Sequence, residues 1–431
     1  MKGSRMPNVL GAALLCAAVV SWPPPAGAQP VEALQERIQS LERQLNLLKE
    51  QLQAVQEEQK ARKAQAERQE KQLAPLADLR KSVEALSKIE ISGGATGTLQ
   101  STSGAPRSLG GDESFAGGSF DLILTYKLLN KVRLVLDLEA IGGNGPDDRF
   151  PTLAGLNGDL GTTNDTVTIL EAYIEAAFLG ERLVLTAGKI DLTNYVDTNA
   201  YANDETLQFL TGAFVNNAIL SNPENGPGAR LRYEVIPEWL YVEAGFQNGD
   251  RDRDARTTNR FFEDVYGVVE IGVTPKLLGR PGGYRVWAFA DGAGQRARES
   301  GELRRYTAHG AGVSLDQELA GWLGAFFRIG YRDSANVNYD TQAAWMAGFQ
   351  IMKILPGRPE DALGLAYGEI KPAKRAAPAR PVRNEKVYEV YYRWHFTDKF
   401  HLSPILQVVD DRAGEREDLF WVIGARLQVD F

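Results

Sequence analysis

The sequence predicts an all-β chain: an antiparallel transmembrane β-barrel of about 16 strands, preceded by an α-helical coiled coil. Three observations carry this reading. Residues 29–87 repeat their apolar positions with a heptad spacing. From Lys88 onward the apolar period drops to two. Along those alternating segments one face is fat and apolar while the other carries Arg, Glu and Asp. A packed interior could not hold so many charges, whereas the watery lumen of a wide barrel can.

The N-terminus reads as a signal peptide, residues 1–28. Lys2 and Arg5 give a positive start, Leu10 to Val20 an apolar run, and Ala26-Gly27-Ala28 a small-residue cleavage site. The apolar run, about 11 residues, is too short for a bilayer, which needs about 20. Cys16, the single cysteine, lies inside the signal, so the mature chain has no disulfide. The three histidines, His309, His395 and His401, lack metal-ligand spacing, and no metal or other cofactor is expected. Removing Lys2 and Arg5 takes the formal charge from −8 to −10, which argues against a nucleic-acid partner. No later segment offers 18 consecutive apolar residues, so no transmembrane helix is expected.

In the second segment the a positions are Val31, Ile38, Leu45, Leu52, Gln59, Ala66 and Leu73. The d positions are Leu34, Leu41, Leu48, Val55, Arg62, Gln69 and Leu76. The expected core is Ile38, Leu41, Leu45, Leu48, Leu52 and Val55. A rod through Leu76 would be roughly 70 Å long. Its seam buries nothing without another helix, so it implies self-association or a partner. Beyond Val55 the seam weakens through Gln59, Arg62 and Gln69, and Pro75 is expected to end or bend the rod before a short helix, Leu76 to Leu86.

The alternating segments occupy residues 88–431. In Lys386 to Phe396, Tyr388, Val390, Tyr392, Trp394 and Phe396 share one face; Glu389, Tyr391, Arg393 and His395 share the other. The last segment sets Trp421, Ile423, Ala425, Leu427, Val429 and Phe431 against Arg426, Gln428 and Asp430. Segments begin near residues 88, 115, 131, 164, 182, 228, 239, 262, 283, 304, 322, 341, 361, 386, 400 and 419. Tight turns such as Leu129-Asn130 and Thr397-Asp398 alternate with long loops at 142–163, 191–227, 248–260 and 371–383. Short connections at one end and long ones at the other are the anatomy of a bacterial outer-membrane barrel.

Two stretches resemble the carbohydrate-selective porin (OprB-type) family. One is Gly188-Lys189-Ile190-Asp191, then Tyr195-Val196-Asp197-Thr198-Asn199 and Asn203-Asp204-Glu205-Thr206-Leu207-Gln208, with Gly226-Pro227-Gly228 opening the next strand. The other runs from Glu389-Val390-Tyr391-Tyr392-Arg393 to the terminus, where Gly424, Leu427, Val429 and Phe431 are similar to the assembly signal of outer-membrane proteins. The resemblance implies a 16-stranded barrel in the outer membrane, often trimeric, passing sugars or other small hydrophilic solutes by diffusion, with the coiled coil in the periplasm. Related porins use such a segment in the periplasm, sometimes towards the cell wall.

Stretch 191–227 joins the fifth and sixth strands, where porins fold a loop into the lumen. A short helix is expected over 203–220, with Leu207, Leu210, Phe214 and Ile219 packing on the wall. The constriction-loop candidates are Asp197, Asn199, Tyr201, Asn203, Asp204, Glu205 and Gln208. The pore-wall candidates are Arg133, Asp137, Glu171, Tyr173, Glu175, Arg230, Arg232 and Glu234. Their planar hydrogen-bonding groups and aromatic faces suit sugar hydroxyls and sugar C–H surfaces. An anion-selective porin is disfavoured, because Glu171, Glu175, Glu234 and Glu243 share the polar faces with the arginines; a general porin stays an alternative. An envelope spacer anchored by its barrel is the structural alternative. An enzyme is the weakest reading, because no Ser/His/Asp grouping or metal cluster is evident.

Overall fold

The computed structural model describes residues 31–160, 165–220, 223, 225–249, 262–297, 302–333, 339–373 and 382–431. The signal peptide and, in the long loop at 371–383, the basic residues Lys374, Arg375 and Arg380 lie outside the described residues. The chain divides into two units, residues 1–83 and 84–431.

The described residues of the first unit lie in one helix, α1 (Val31–Leu86). Of the two outcomes expected at Pro75, an end or a bend, the helix does not end there. Proline's fixed φ is compatible with a helix, although its ring costs one hydrogen bond and crowds the carbonyl four residues earlier. Leu34, Ile38, Leu41, Leu45, Leu48, Leu52 and Val55 are all exposed along this single helix. Arg62, at a d position, pairs at 2.7 Å with Glu58 one turn earlier.

The second unit is a closed antiparallel barrel of 16 strands. They are β1 (Ile89–Ser103), β2 (Ser114–Leu129), β3 (Val132–Gly143), β4 (Thr166–Phe178), β5 (Leu183–Ile190), β6 (Gly226–Ile236), β7 (Leu240–Asn248) and β8 (Val265–Val273). There follow β9 (Arg280–Asp291), β10 (Ala308–Ala320), β11 (Leu323–Arg332), β12 (Thr341–Met352), β13 (Ala362–Pro372), β14 (Glu385–Thr397), β15 (Phe400–Asp410) and β16 (Phe420–Asp430). Each strand pairs with its sequence neighbours, and β1 closes the ring against β16, with Gly94 opposite Asp430 and Ser103 opposite Trp421. The Phe431 amide extends this seam by donating to the Gly93 carbonyl. The tenth strand begins at Ala308 rather than near 304, because a small hairpin, Gln295–Ala297 with Leu303–Arg305, stands before it.

Side-chain burial is inverted relative to a soluble fold. Leu99, Val286, Ile329, Phe349, Trp421, Ile423 and Leu427 are exposed on the outer face. Gln100, Glu243, Glu270, Arg328, Glu389, Gln407 and Arg426 are buried on the inner one. Exposed Phe178, Trp239, Trp322, Phe396 and Phe400 gather at the short-turn end, where a membrane barrel carries an aromatic girdle. Among the described residues no helix is long and apolar enough to cross a membrane, so crossing falls to the strands. Ile423→Arg, on the outer face, should cost about 2–4 kcal/mol if that face meets lipid. The midpoint of urea-induced unfolding in lipid vesicles measures this; an unchanged midpoint would contradict a lipid-facing Ile423.

Candidate functional site

Two loops turn from the long-loop end into the lumen. The first joins β5 to β6. Its entry follows from Gly188, whose φ is +148°; a Cβ there would lie 2.3 Å from the Ala172 carbonyl oxygen on β4. Asp191 then caps a short turn, accepting at 2.8 Å from the Thr193 amide, and Glu171 on the wall accepts from the Asp191 amide at 2.7 Å. The loop's one α-helical turn is Gly212–Val215, shorter than the expected helix over 203–220. Asp204 instead bonds the Thr206 and Leu207 amides, so its carboxylate builds a turn at that point. Leu210, Phe214 and Ile219 are fully buried against the wall, as their apolar character predicts; Leu207 is half-buried.

Asp197 and Asn199 do not face a passage. Asp197 is wholly buried and holds φ +65°, rare for a residue with a Cβ. Its carboxylate lies 2.7 Å from the Arg328 Nε and accepts from the Trp287 indole at 2.8 Å and the Asn217 amide at 2.9 Å. Its own amide donates to Glu270. Burial pushes the Asp197 carboxyl up, and Arg328 pulls it back down. Asn199 donates to Ser314 and to the Leu315 carbonyl. Both are anchors rather than lining groups, because the wall supplies their partners. Tyr201, Asn203, Asp204, Glu205 and Gln208 keep part of their surface open. Gln208 accepts from the Asn203 amide and donates to the Ala200 carbonyl. Arg426 holds the carbonyls of Glu205 and Gln208.

The second inward loop joins β3 to β4, and sequence reasoning missed its course. Phe150 and Leu156 are fully buried. Asp147 accepts from the Asn157 amide at 3.0 Å and from Thr152, and burial pushes its carboxyl up to about 6. The loop pairs with the first through Gly158 to Leu210, Gly212 to Gly155 and Ala213 to Ala154. Glu385 on β14 accepts the Leu153, Ala154 and Ala413 amides. Part of the lumen is therefore packed protein: Phe209 lies 5.4 Å from Phe214 and 5.0 Å from Tyr391, ring centre to ring centre. The wall residues that hold these loops, Arg328, Glu385, Glu389, Gln407 and Arg426, all sit on polar strand faces. That alternation was the signal available; their partners, more than a hundred residues away, were not.

The pore-wall candidates fall into two groups. Arg133, Glu175, Arg230 and Arg232 form one ladder across β3 to β7, joined by Glu243. Glu234 lies 3.9 Å from Arg232 at its end. Arg230 lies over the Tyr195 ring at 4.0 Å and Arg232 over Tyr241 at 3.7 Å, so each guanidinium rests on an aromatic ring. A cavity of about 810 Å³ at the short-turn end is lined by Lys88, Lys127, Lys131, Arg133, Glu175 and Glu181. Asp137 and Glu171 stand apart, both buried and directly opposite each other on β3 and β4. Among the described residues no three metal-ligating side chains converge.

Burial, with Asp204 and Asp159 nearby, raises the Glu205 carboxyl from an ordinary 4.5 to about 7. The folded protein thus keeps a proton that the unfolded chain has already lost, so this contribution to stability is present below 4.5 and is lost as pH rises through 7. Between about pH 6 and pH 8 the loop gains a negative charge at this residue. Cation preference, read from the reversal potential, should rise over that interval, and Glu205→Gln should flatten the rise.

Known proteins share the fold. The solved structure described as "High pH structure of Pseudomonas putida OprB" superposes with a TM-score of 0.68 at 17% identity, covering 81% of this chain and 96% of that one. Its low-pH counterpart gives 0.53 at 15% identity, covering 81% and 95%. These likenesses concern the fold. A protein of Aquifex aeolicus (strain VF5), described as uncharacterized, is 24% identical over 316 residues, 73% of this chain and 84% of its own length. The family model for the carbohydrate-selective porin, OprB family, matches residues 113–431. The chain belongs to that family.

Proposed function

We propose that this protein is an outer-membrane porin through which small hydrophilic solutes, carbohydrates foremost, diffuse passively. The observation that carries this reading is the inverted barrel: its ionised groups line a lumen narrowed by inward loops, and its apolar groups face outward. The Arg133–Glu175–Arg230–Glu243–Arg232 ladder offers paired planar donors and acceptors, and Tyr173, Tyr195 and Tyr241 stand beside it. A sugar crossing such a wall exchanges water hydrogen bonds for protein ones at each step, and weak binding keeps it moving. Tyr201, Asn203, Glu205 and Gln208 are the loop residues we assign to the passage. Balanced ladder charges support a neutral solute over an anion.

Swelling of liposomes in graded sugars tests the reading. Monosaccharides should enter faster than trisaccharides, and maltose should lower single-channel current. A barrel impermeable to every sugar would favour the envelope-spacer alternative.

We assign the exposed heptad seam of α1 to self-association in the periplasm, with the barrels as a trimer in the outer membrane. The support is the unbroken a/d pattern from Val31 to Val55. Sedimentation equilibrium of a 31–76 peptide checks it; a monomeric peptide would argue against the seam as a self-association surface. Gly424, Leu427, Val429 and Phe431 are proposed as the assembly signal. Phe431 stacks on Phe120 at 5.9 Å, at the strand that closes the ring.

A further inference from the structure

The lumen wall carries a second electrostatic region that the sugar ladder does not use. On β2 and β3, Asp121 is directly opposite Glu139, and on β3 and β4, Asp137 is directly opposite Glu171. Like charges facing each other across a sheet destabilise it. Two such pairs therefore stand side by side. The inward loops add Asp159 and Glu205, close enough to interact with Glu139. The ladder's acids each have an arginine partner. Among the described residues no ion pair joins any of these six carboxylates to a cation. Arg426 lies near Asp159 and Glu205 and offsets part of their charge, while its guanidinium is committed to loop carbonyls.

A charged lobe alone does not make a site. The second observation is Asp137. It is 8% exposed, and its buried Oδ1 has no hydrogen-bond donor. The Asp159 Oδ2 is in the same condition, although its Oδ1 accepts from Ser119 at 2.7 Å. A buried carboxylate oxygen without a donor carries a desolvation cost of about 1–3 kcal/mol or more. A cationic hydrogen-bond donor arriving from the lumen would relieve it. Asp121 and Glu139 are half-buried and leave the lobe open on that side.

The arrangement of the oxygens selects the class of ligand. A divalent metal needs its oxygens converged at about 2.0–2.6 Å. Here no three carboxylates converge. The four wall acids are instead spread over three strands, about 5 Å apart across the sheet and about 7 Å apart along it, and Asp159 and Glu205 reach them from the loops. Ammonium groups on a flexible chain match that spread, each with three donors.

We propose that the Asp121, Asp137, Glu139, Asp159, Glu171 and Glu205 lobe is a subsite for aliphatic amines, so that the channel also takes up cationic solutes bearing primary ammonium groups. This rests on the reading that the lumen conducts. Putrescine, a short aliphatic diamine, is the probe. Added to single channels of the full-length protein, it should reduce current in a concentration-dependent way, and magnesium at the same charge should do so far less. Asp137→Asn with Glu139→Gln should weaken the putrescine effect about tenfold or more. Glu139→Gln alone, at a half-exposed residue, should weaken it in the same direction. An undiminished putrescine effect in the double variant would overturn the proposal, as would an equal effect of magnesium. Maltose sensitivity, recorded on the same wild-type channels, reports the sugar reading separately. Should the barrel pass no current, calorimetric titration of putrescine into the detergent-solubilised protein still decides the amine site.

Discussion

Arg328→Met is expected to loosen the constriction loop where residues 197 and 214 meet the wall and to raise single-channel conductance. Arg328 and Asp197 are both fully buried and form an ion pair at 2.7 Å. The guanidinium also donates to the Phe214 carbonyl at 2.7 Å and the Asp197 carbonyl at 2.8 Å. One side chain thus ties two parts of the loop, residues 197 and 214, to β11. Methionine preserves bulk but leaves the Asp197 carboxylate buried without a counter-charge. Breaking a buried pair in this way costs about 3–5 kcal/mol. The strained backbone at Asp197 then loses its ion pair and the Arg328 bond to its carbonyl, and keeps Trp287, Asn217 and Glu270. The barrel ladders and the Glu389 and Arg426 anchors remain, so the loop should loosen around residues 197 and 214 while the barrel stays closed. Arg328→Lys keeps the charge and loses the fork, and should give an intermediate conductance. Wild-type conductance and noise in Arg328→Met would show that the pair does not hold the loop.

Glu389→Ala should loosen the junction of the two inward loops. The Glu389 carboxylate accepts from the Leu210 and Thr211 amides, each at 2.7 Å, and from Gln407 at 3.3 Å. Gln407 itself donates to the Leu156 carbonyl in the other loop, so Glu389 sits where both loops meet the wall. Alanine strands two buried amides, at about 1–3 kcal/mol each. Amide hydrogen exchange at Leu210 and Thr211 should accelerate by more than tenfold, ahead of any change in the strands. Exchange that stayed at the wild-type rate there would contradict this role. Glu389→Gln should fall between, because its NH₂ turns one acceptor into a donor facing an N–H.

Much of the site's composition was legible in the sequence. Period-two alternation placed Arg133, Glu175, Arg230 and Arg232 on one face, and the structure links them in a single ladder. Their mutual spacing follows from strand register, which alternation nearly dictates. Asp197 and Asn199 were misread as lining residues. A polar loop side chain looks the same whether it meets water or a buried arginine 131 residues downstream, the separation between Asp197 and Arg328. The inward course of residues 144–160 was illegible for the same reason: its anchor, Glu385, is 231 residues from Ala154.

The sequence by itself determined the barrel, its closing strands and which side of each strand meets water, because those follow from a local period and from the two solvents that a membrane wall must face. Tertiary structure decided how much of the lumen is filled, which carboxylates are neutralised by arginine and which are left facing one another. Those outcomes depend on which distant strand an inward loop reaches, and loop-to-wall hydrogen bonds leave no periodic trace in the chain.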